Sequence, residues 1–280
     1  EPAEAEFRKT IQLQPKFGRA WWGLARVFDC SSLHGVARRF FTRAHDLDPQ
    51  DGEILWSYAR TLTGAERTAV LETSLEHADP AAGLMALNGL RNRIEIDKKM
   101  EARHLDRLVS PYDRAQIHLE PLLNGMTQMS GFGLKVRIND AKPVTLLLDT
   151  GASGILLGTK AAERAGLSRL GDAQIGGIGD GGWQKGYAAL AGRVRIGSVE
   201  LADVVVRVGE RKGVADRDED GLIGADVFSR FLVTLDFTGR RLRLEPLAGP
   251  GGEREDAFTD RVVTPQLKTF TPVYRIGHHL

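Results

Sequence analysis

The spacing of hydrophobic residues divides the chain into two parts. Up to about residue 110, apolar positions recur at helical intervals, and Ala, Leu, Arg and Glu are frequent. From about Gln116, apolar and polar residues alternate in short segments separated by turn residues. We therefore predict a multidomain α + β chain with helices over residues 1–112 and an all-β domain with small helical insertions over 113–247. Residues 248–280 are predicted to be a linker and the start of a second lobe similar to the β domain.

The helical part contains a repeat. Pro15 and Pro49 lie 34 residues apart, which is the period of a tetratricopeptide repeat, and proline ends a helix because it cannot continue the hydrogen-bonding ladder. Packing residues of matching size occur at Ala3, Phe7, Thr10, Trp21, Leu24, Ala25, Phe28, Ala37, Phe41 and Ala44, and more loosely at Leu55, Tyr58, Ala59, Leu62, Leu71, Leu75 and Ala78.

The segment resembles one full tetratricopeptide repeat, with a half repeat before it and a degenerate one after it. The resemblance implies a domain that binds peptides or partner proteins. A generic helical bundle is the alternative. We expect Trp21 to pack in the core, whereas Trp22 has either a core position or a place on a binding face.

Short apolar or alternating segments predict the strands. They are Gly133–Ile138, Val144–Leu148, Ile155–Leu157, Arg193–Ile196, Val204–Val208, Leu232–Asp236 and Arg241–Leu244, with one short helix at Thr159–Ala165. Thr238-Gly239 predicts a turn between the last two strands. Strands of this length are typical of a barrel or a sandwich.

An acidic residue, Asp149, follows an apolar strand that we expect to be buried. A buried carboxylate is costly unless hydrogen bonds or a function compensate for it. Thr150 offers a hydroxyl group for such a bond, and Gly151 lets another backbone approach closely. Ser153 can donate a further hydrogen bond to a carboxylate or to a substrate. The tripeptide Asp-Thr-Gly is weak evidence of a functional site on its own. An apolar run before it, another after it and a short helix beyond make that evidence stronger.

Residues 113–247 resemble the retropepsin-like aspartic proteases, in particular their bacterial members. The segment 148–153 (LDTGAS) is similar to their active-site loop, and the segment 221–228 (GLIGADVF) is similar to a second signature that passes beneath that loop. The resemblance implies an acid-protease barrel with Asp149 as the catalytic residue. It also implies that the residues after Asp149 support the active-site loop: Thr150, Gly151, Ala152 and Ser153. Beneath that loop it places Leu222, Ile223 and Gly224.

A glycine-rich segment lies between the two signatures. The family places a hairpin flap there, so the resemblance assigns contact with a bound peptide to Gly179, Asp180, Gly181, Gly182 and Trp183. Gly177, Gly179 and Gly182 also match the dinucleotide-binding pattern G-x-G-x-x-G. That pattern requires a following helix, whereas the residues after it alternate in polarity.

The resemblance also implies a second aspartate, because aspartic proteases use two carboxylates that share one proton. A homodimer would supply the same loop twice. A second lobe is the alternative, and residues 271–277 favour it slightly, because strand-like character resumes there. The start at Glu1, without Met or a signal segment, leads us to expect a piece of a longer protein of undetermined location.

Other acidic residues have structural interpretations. We expect Asp226 to cap the short helix that the family places after the glycine of the second signature, or to lie beside that helix. We expect Asp236 to make a turn contact and residues 216–220 to form a solvated loop. The Ala152-Ser153 pair differs from the Ala-Asp of viral members, so the substrate contacts of those proteins do not transfer directly.

Composition excludes several classes of function. The net charge of +1 gives no reason to expect a nucleic-acid partner, and no segment approaches the roughly 20 apolar residues that span a bilayer. Cys30 is the only cysteine, and the seven histidines lack ligand spacing, so we expect no metal and no cofactor.

Three hypotheses follow. The first is an aspartic endopeptidase that acts on a peptide or protein substrate, with helical repeats that recruit substrate or a regulator. The second is a non-catalytic peptide-binding or assembly protein. The third is a helical recognition protein with a β domain that only dimerises.

Overall fold

The computed structural model describes residues 2–30, 34–78, 84–124, 128–176, 184–209, 220–246, 274–275 and 278–279. Contacts divide the chain into two units, one of residues 102–246 and one of residues 1–101 with 247–280. Helices precede the β-rich region, as predicted. The contact division falls near the sequence-based domain limits at residues 112 and 247, which stay predictions.

Six helices are described in the first unit. They are α1 (Pro2–Leu13), α2 (Gly18–Cys30), α3 (His34–Leu47), α4 (Gly52–Ala59), α5 (Gly64–Glu76) and α6 (Leu84–Met100). Each helix packs against the next one along the chain. Pro15 lies in the turn after α1 and Pro49 in the corresponding turn after α3, and the helices that follow begin at the same interval.

Local hydrogen bonds explain where α4 begins. The Asp51 side chain accepts hydrogen bonds from the backbone N–H groups of Glu53 and Ile54, which have no partner within the helix. Arg19 also pairs with Asp51 at 2.6 Å, which ties the start of α2 to the start of α4. None of the described helices is long and apolar enough to cross a membrane.

One core cluster of the helical unit lies between α2 and α3, and a second one is formed by Ala59, Leu71 and Ile94. The buried members of the first cluster are Leu24, Ala25, Phe28, Val36, Ala37 and Phe41. Trp22 packs against this cluster, and its indole N–H donates to the Ser57 hydroxyl at 2.8 Å. The expectation of a core position for Trp21 is wrong: its ring lies against Phe40 and Arg43 beside the cluster, and its N–H donates to Pro15 O.

The second unit is built of short strands. They are β1 (Arg107–Leu108), β2 (Ala115–His118), β3 (Glu120–Asn124), β4 (Gln128–Ile138), β5 (Val144–Asp149), β6 (Ile155–Leu157), β7 (Ser168–Ile175), β8 (Gln184–Ile196), β9 (Val199–Val208), β10 (Gly221–Gly224), β11 (Phe231–Asp236) and β12 (Arg241–Pro246). Helix α7 (Thr159–Arg164) follows β6, and a 3₁₀ helix (Ala225–Phe228) follows β10. A separate pair, β13 (Tyr274–Arg275) and β14 (His278–His279), lies near the end of the chain.

Strand pairing in the larger sheet closes on itself. The order β9-β6-β10-β5-β4-β8 returns to β9 because β8 also pairs with β9. β1, β3 and β7 extend this circuit, and β11, β12 and β2 form a second sheet. All seven sequence-predicted strands and the short helix are confirmed, although β4, β8 and β9 begin well before the predicted Gly133, Arg193 and Val204. The strands β1, β2, β3, β7 and β10 were not predicted.

Candidate active site

The site is organised by β10, which lies between two strands that are consecutive in sequence. β10 runs parallel to β5, with Gly224 opposite Asp149, and antiparallel to β6, with Ile223 opposite Ile155. Leu146, Ile155 and Ile223 are fully buried at this junction. The chain from Asp149 to Gly154 therefore has to cross the end of β10. We call residues 149–154 the Asp149 loop.

Gly224 allows the loop to pass closely over β10. A Cβ at this position would overlap the carbonyl oxygen of Ala152, which is a backbone atom that cannot move aside easily. The Gly224 N–H also donates to the carbonyl oxygen of Gly154 at 2.7 Å. Gly224 thus lies directly against the Asp149 loop, and Leu222 and Ile223 precede it in β10, paired with β5 and β6.

The Asp149 carboxylate lies at the end of β5 and is half-buried. Its Oδ1 accepts a hydrogen bond from the Gly151 N–H at 2.9 Å, and its backbone carbonyl accepts from the Ala152 N–H at 3.2 Å. Thr150 is exposed, and in the described part of the chain its hydroxyl has no hydrogen-bond partner. The loop therefore presents a partly accessible carboxylate with one backbone donor.

The far side of the loop is held by Asp226, in the 3₁₀ helix. Its Oδ2 accepts from the Ser153 hydroxyl at 2.7 Å, and its Oδ1 accepts from the Gly154 N–H at 2.8 Å. The expectation that Asp226 caps this helix or lies beside it is wrong, because Asp226 lies within the helix and Gly224 is the N-cap residue. The contacts with Gly154 and Ser153 were not predicted, because these residues are 72 and 73 positions away in the sequence. The available signal was an acid two residues after Gly224, which passes beneath the loop.

The predicted flap residues 179–183 lie outside the described residues. The strands on either side form an antiparallel hairpin, in which Ile175 pairs with Gln184. Because β8 follows the glycine-rich segment, the helix that a dinucleotide-binding motif requires is missing at Gln184, and that alternative is wrong.

Two other acidic residues make structural contacts. The Gly239 N–H donates a hydrogen bond to the Asp236 carboxylate and so lowers the pKa of Asp236. The charges of Arg241 and Arg243 lower this pKa further. This is the turn contact predicted from the sequence. Asp220 accepts from the Thr145 N–H at 3.1 Å and from Arg164 at 2.6 Å, at the start of β10. Among the described residues, no group of three His, Cys, Asp or Glu side chains is placed to hold a metal ion.

Comparison with protein families identifies the class of this unit. Residues 134–227 match the family described as aspartyl protease. The matched span runs from β4 into the 3₁₀ helix, so it contains Asp149, its loop, β10 and Asp226. The chain therefore contains an aspartyl-protease-like domain.

Curated relatives match over a wider span. The chain is 26% identical over 176 residues to DNA damage-inducible protein 1 of Kluyveromyces lactis, covering 63% of this chain and 37% of the relative. It is 26% identical over 151 residues to UBA domain-containing protein Mud1 of Schizosaccharomyces pombe, covering 54% and 43%. The chain thus spans less than half the length of these relatives. Both are eukaryotic, so the expected resemblance to bacterial members in particular is not supported by these relatives.

Two solved structures resemble part of this chain. A retropepsin-like aspartic protease from Rickettsia conorii is 20% identical, with a TM-score of 0.34, over 50% of this chain and 96% of that chain. The retroviral protease-like domain of Ddi1 from Leishmania major is 19% identical, with a TM-score of 0.26, over 41% and 93%. The assignment of the domain rests on the family match rather than on these values.

Proposed function

We propose that the protein is a retropepsin-like aspartic endopeptidase in which Asp149 supplies one of two catalytic carboxylates. The observation that supports this proposal is the half-buried Asp149 carboxylate, in a loop that crosses β10 within the matched residues 134–227. We further propose that the closed circuit of strands is the barrel of that group.

The proposed reaction needs two carboxylates that share one proton. Two like charges held close together do not both ionise readily, so one group stays protonated while the other acts as a base. The ionised carboxylate takes a proton from a water molecule, whose oxygen attacks the peptide carbonyl carbon. The protonated carboxyl group donates to the carbonyl oxygen. The resulting tetrahedral species expels the amine, which receives a proton as the C–N bond breaks.

The second carboxylate comes from outside the Asp149 loop. A homodimer with a twofold axis would bring Asp149 of each copy together in a self-complementary interface. A second lobe further along a longer chain would supply an equivalent acid. In either case the pair titrates as a unit, so the pH profile of cleavage belongs to both carboxylates together.

We propose that the helical unit is a tetratricopeptide-like domain that recruits a protein partner or substrate. Each helix packs on the next, and α1 and α3 end at matching positions before Pro15 and Pro49. Large apolar side chains remain exposed in this unit, at Leu13 (74%), Phe17 (45%) and Trp56 (41%). Exposed groups of this kind provide contact area for a peptide.

The experiment that tests catalysis compares Asp149→Asn with Asp140→Asn in the cleavage of an unstructured protein at mildly acid pH. Asp140 is an exposed acid just before β5, so its variant controls for the loss of one charge. We expect Asp149→Asn to abolish cleavage and Asp140→Asn to retain it, with both proteins folded by circular dichroism. Peptide binding without turnover in the wild type would instead support the non-catalytic alternative.

A further inference from the structure

The two ends of the Asp149 loop are fixed in different ways. At its start, Asp149 belongs to β5 and lies opposite Gly224 in the parallel ladder. At its end, Gly154 has a φ of 68°, a left-handed conformation that favours glycine. Gly154 therefore marks the place where the chain turns from the loop into β6.

Both backbone polar groups of Gly154 are bound by residues around the 3₁₀ helix. Its carbonyl oxygen accepts from the Gly224 N–H at 2.7 Å, and its N–H donates to the Asp226 carboxylate at 2.8 Å. The neighbouring Ser153 hydroxyl donates to the same carboxylate at 2.7 Å. Asp226 thus holds two successive residues of the loop through one side chain.

We infer that Asp226 is a positioning residue, which fixes the orientation of the Asp149 carboxylate by holding the opposite end of its loop. The inference rests on the proposed function for its effect on cleavage, but its structural part concerns the loop alone. Asp226 does not need to touch substrate. It acts through Ser153 and Gly154, and the Gly151 N–H that binds Asp149 lies between the two fixed ends.

The chemistry of the contact predicts a specific order of variants. Asp226→Ala removes both acceptors. Asp226→Asn keeps one oxygen for the Gly154 N–H, and its amide NH₂ can donate to the Ser153 hydroxyl, which accepts after rotation. Ser153→Ala removes only the hydroxyl contact. We therefore expect the loop to be displaced most in Asp226→Ala, less in Ser153→Ala, and least in Asp226→Asn.

Asp220 provides a matched control, because it lies at the other end of β10. It also accepts a backbone N–H, from Thr145, and a side-chain donor, from Arg164. Asp220→Ala removes comparable contacts without touching the Asp149 loop. A general loss of stability would therefore affect both alanine variants, whereas a loss of loop geometry would affect only Asp226→Ala.

The test measures kcat, KM and the amide NMR signals of Gly151 and Gly154 in the full chain. For Asp226→Ala we expect kcat to fall about 10- to 100-fold with little change in KM, because small displacements of a reacting group reduce rates by that order. Both glycine signals should shift, Asp226→Asn should restore them, and Asp220→Ala should change neither.

An unchanged Gly151 signal in Asp226→Ala would overturn the inference, as would an equal shift in Asp220→Ala. If the wild type cleaves nothing, the proposed function fails, yet the NMR signals still decide whether Asp226 positions the loop. If the wild type cleaves and Asp226→Ala keeps its kcat, the inference fails while the proposed function stands.

Discussion

Two acidic residues, one in the helical unit and one in the β-rich unit, have opposite surroundings. In the helical unit, Asp97 is buried, at 6% exposure, and two arginines, Arg67 and Arg93, each lie 3.1 Å from its carboxylate. In the β-rich unit, Asp149 is half-buried, and over the described ranges its carboxylate has one donor, the Gly151 N–H, and no cation. The comparison separates an acid that holds a structure together from one that is available to react.

The difference follows from electrostatics. A buried carboxylate with two cations contributes to the fold only while all partners are present, because removing one leaves an uncompensated charge. A carboxylate with a single backbone donor adds less to stability, but its oxygens remain accessible to water and substrate. Functional residues are often kept at such positions although other side chains would stabilise the fold equally well or better.

The largest expected effect on stability is at Asp97. Asp97→Ala leaves Arg67 and Arg93 without their shared partner, and because both arginines are partly exposed the helical unit should lose about 2–3 kcal/mol. Asp149→Asn should change the free energy of unfolding by less than about 0.5 kcal/mol. Urea unfolding followed by tryptophan fluorescence and circular dichroism measures both. An equal loss in the two variants would remove the distinction between the two acids.

Glycine substitutions sharpen the same comparison. Gly224→Ala should destabilise the β-rich unit by about 1–3 kcal/mol and abolish cleavage, because the new Cβ overlaps the Ala152 carbonyl oxygen. In the first turn of α4, a Cβ on Gly52 lies 3.5 Å from its nearest neighbour, the His77 carbonyl oxygen. Gly52→Ala should therefore be neutral or stabilise by up to about 1 kcal/mol. Tm values of the Gly224→Ala and Gly52→Ala variants test the two expected changes in stability, and cleavage rates test the expected loss of activity in Gly224→Ala.

A smaller effect is expected from two serine hydroxyls. Ser57 accepts the Trp22 indole N–H in a partly buried place, so Ser57→Ala should cost about 1–2 kcal/mol. Ser153 is exposed, and Ser153→Ala should cost less stability while lowering the cleavage rate. Parallel measurements of unfolding and of initial rates distinguish the two. A Ser153→Ala protein that is less stable but fully active would contradict the assignment.

The smallest expected effect is a pH dependence at Asp236. The lowered pKa of its carboxyl group means that the folded state favours the ionised form relative to the ordinary value of 3.8. Its contribution to stability is present above that value and disappears as the pH falls through the lower pKa of the folded protein. Asp236→Asn should therefore flatten the acid side of the Tm profile. Identical profiles for the two proteins would contradict this contribution.

Local sequence patterns predicted most elements of the fold. Helical spacing located α2 and α3, and apolar runs located β5 and β6 on either side of the Asp149 loop. The pairing of β10 between those strands does not follow from its local pattern, because Gly221–Gly224 is too short to define its neighbours. The resemblance to a known signature supplied that placement instead.

The contacts that sequence analysis missed depend on tertiary packing. Helical spacing places Trp21 on the face of Leu24 and Phe28, three and seven residues before them, yet it is the partly buried Trp22 that packs against the cluster. The hydrogen bond from Ser153 to Asp226 joins the Asp149 loop to the 3₁₀ helix, which the pairing of β10 with β5 and β6 brings together. The local pattern of one sequence does not reveal how β10 pairs with β5 and β6, and that pairing creates this contact.

The measurement that tests the central claim most directly combines solution mass with cleavage. Light scattering gives the fraction of dimer across a range of chain concentrations, and the cleavage rate per chain is measured in the same samples for the wild type and for Asp149→Asn. The homodimer predicts a wild-type rate that rises with the fraction of dimer, whereas a second lobe predicts no such dependence. Both predict no cleavage by Asp149→Asn at any concentration. Cleavage by Asp149→Asn at the wild-type rate would contradict both.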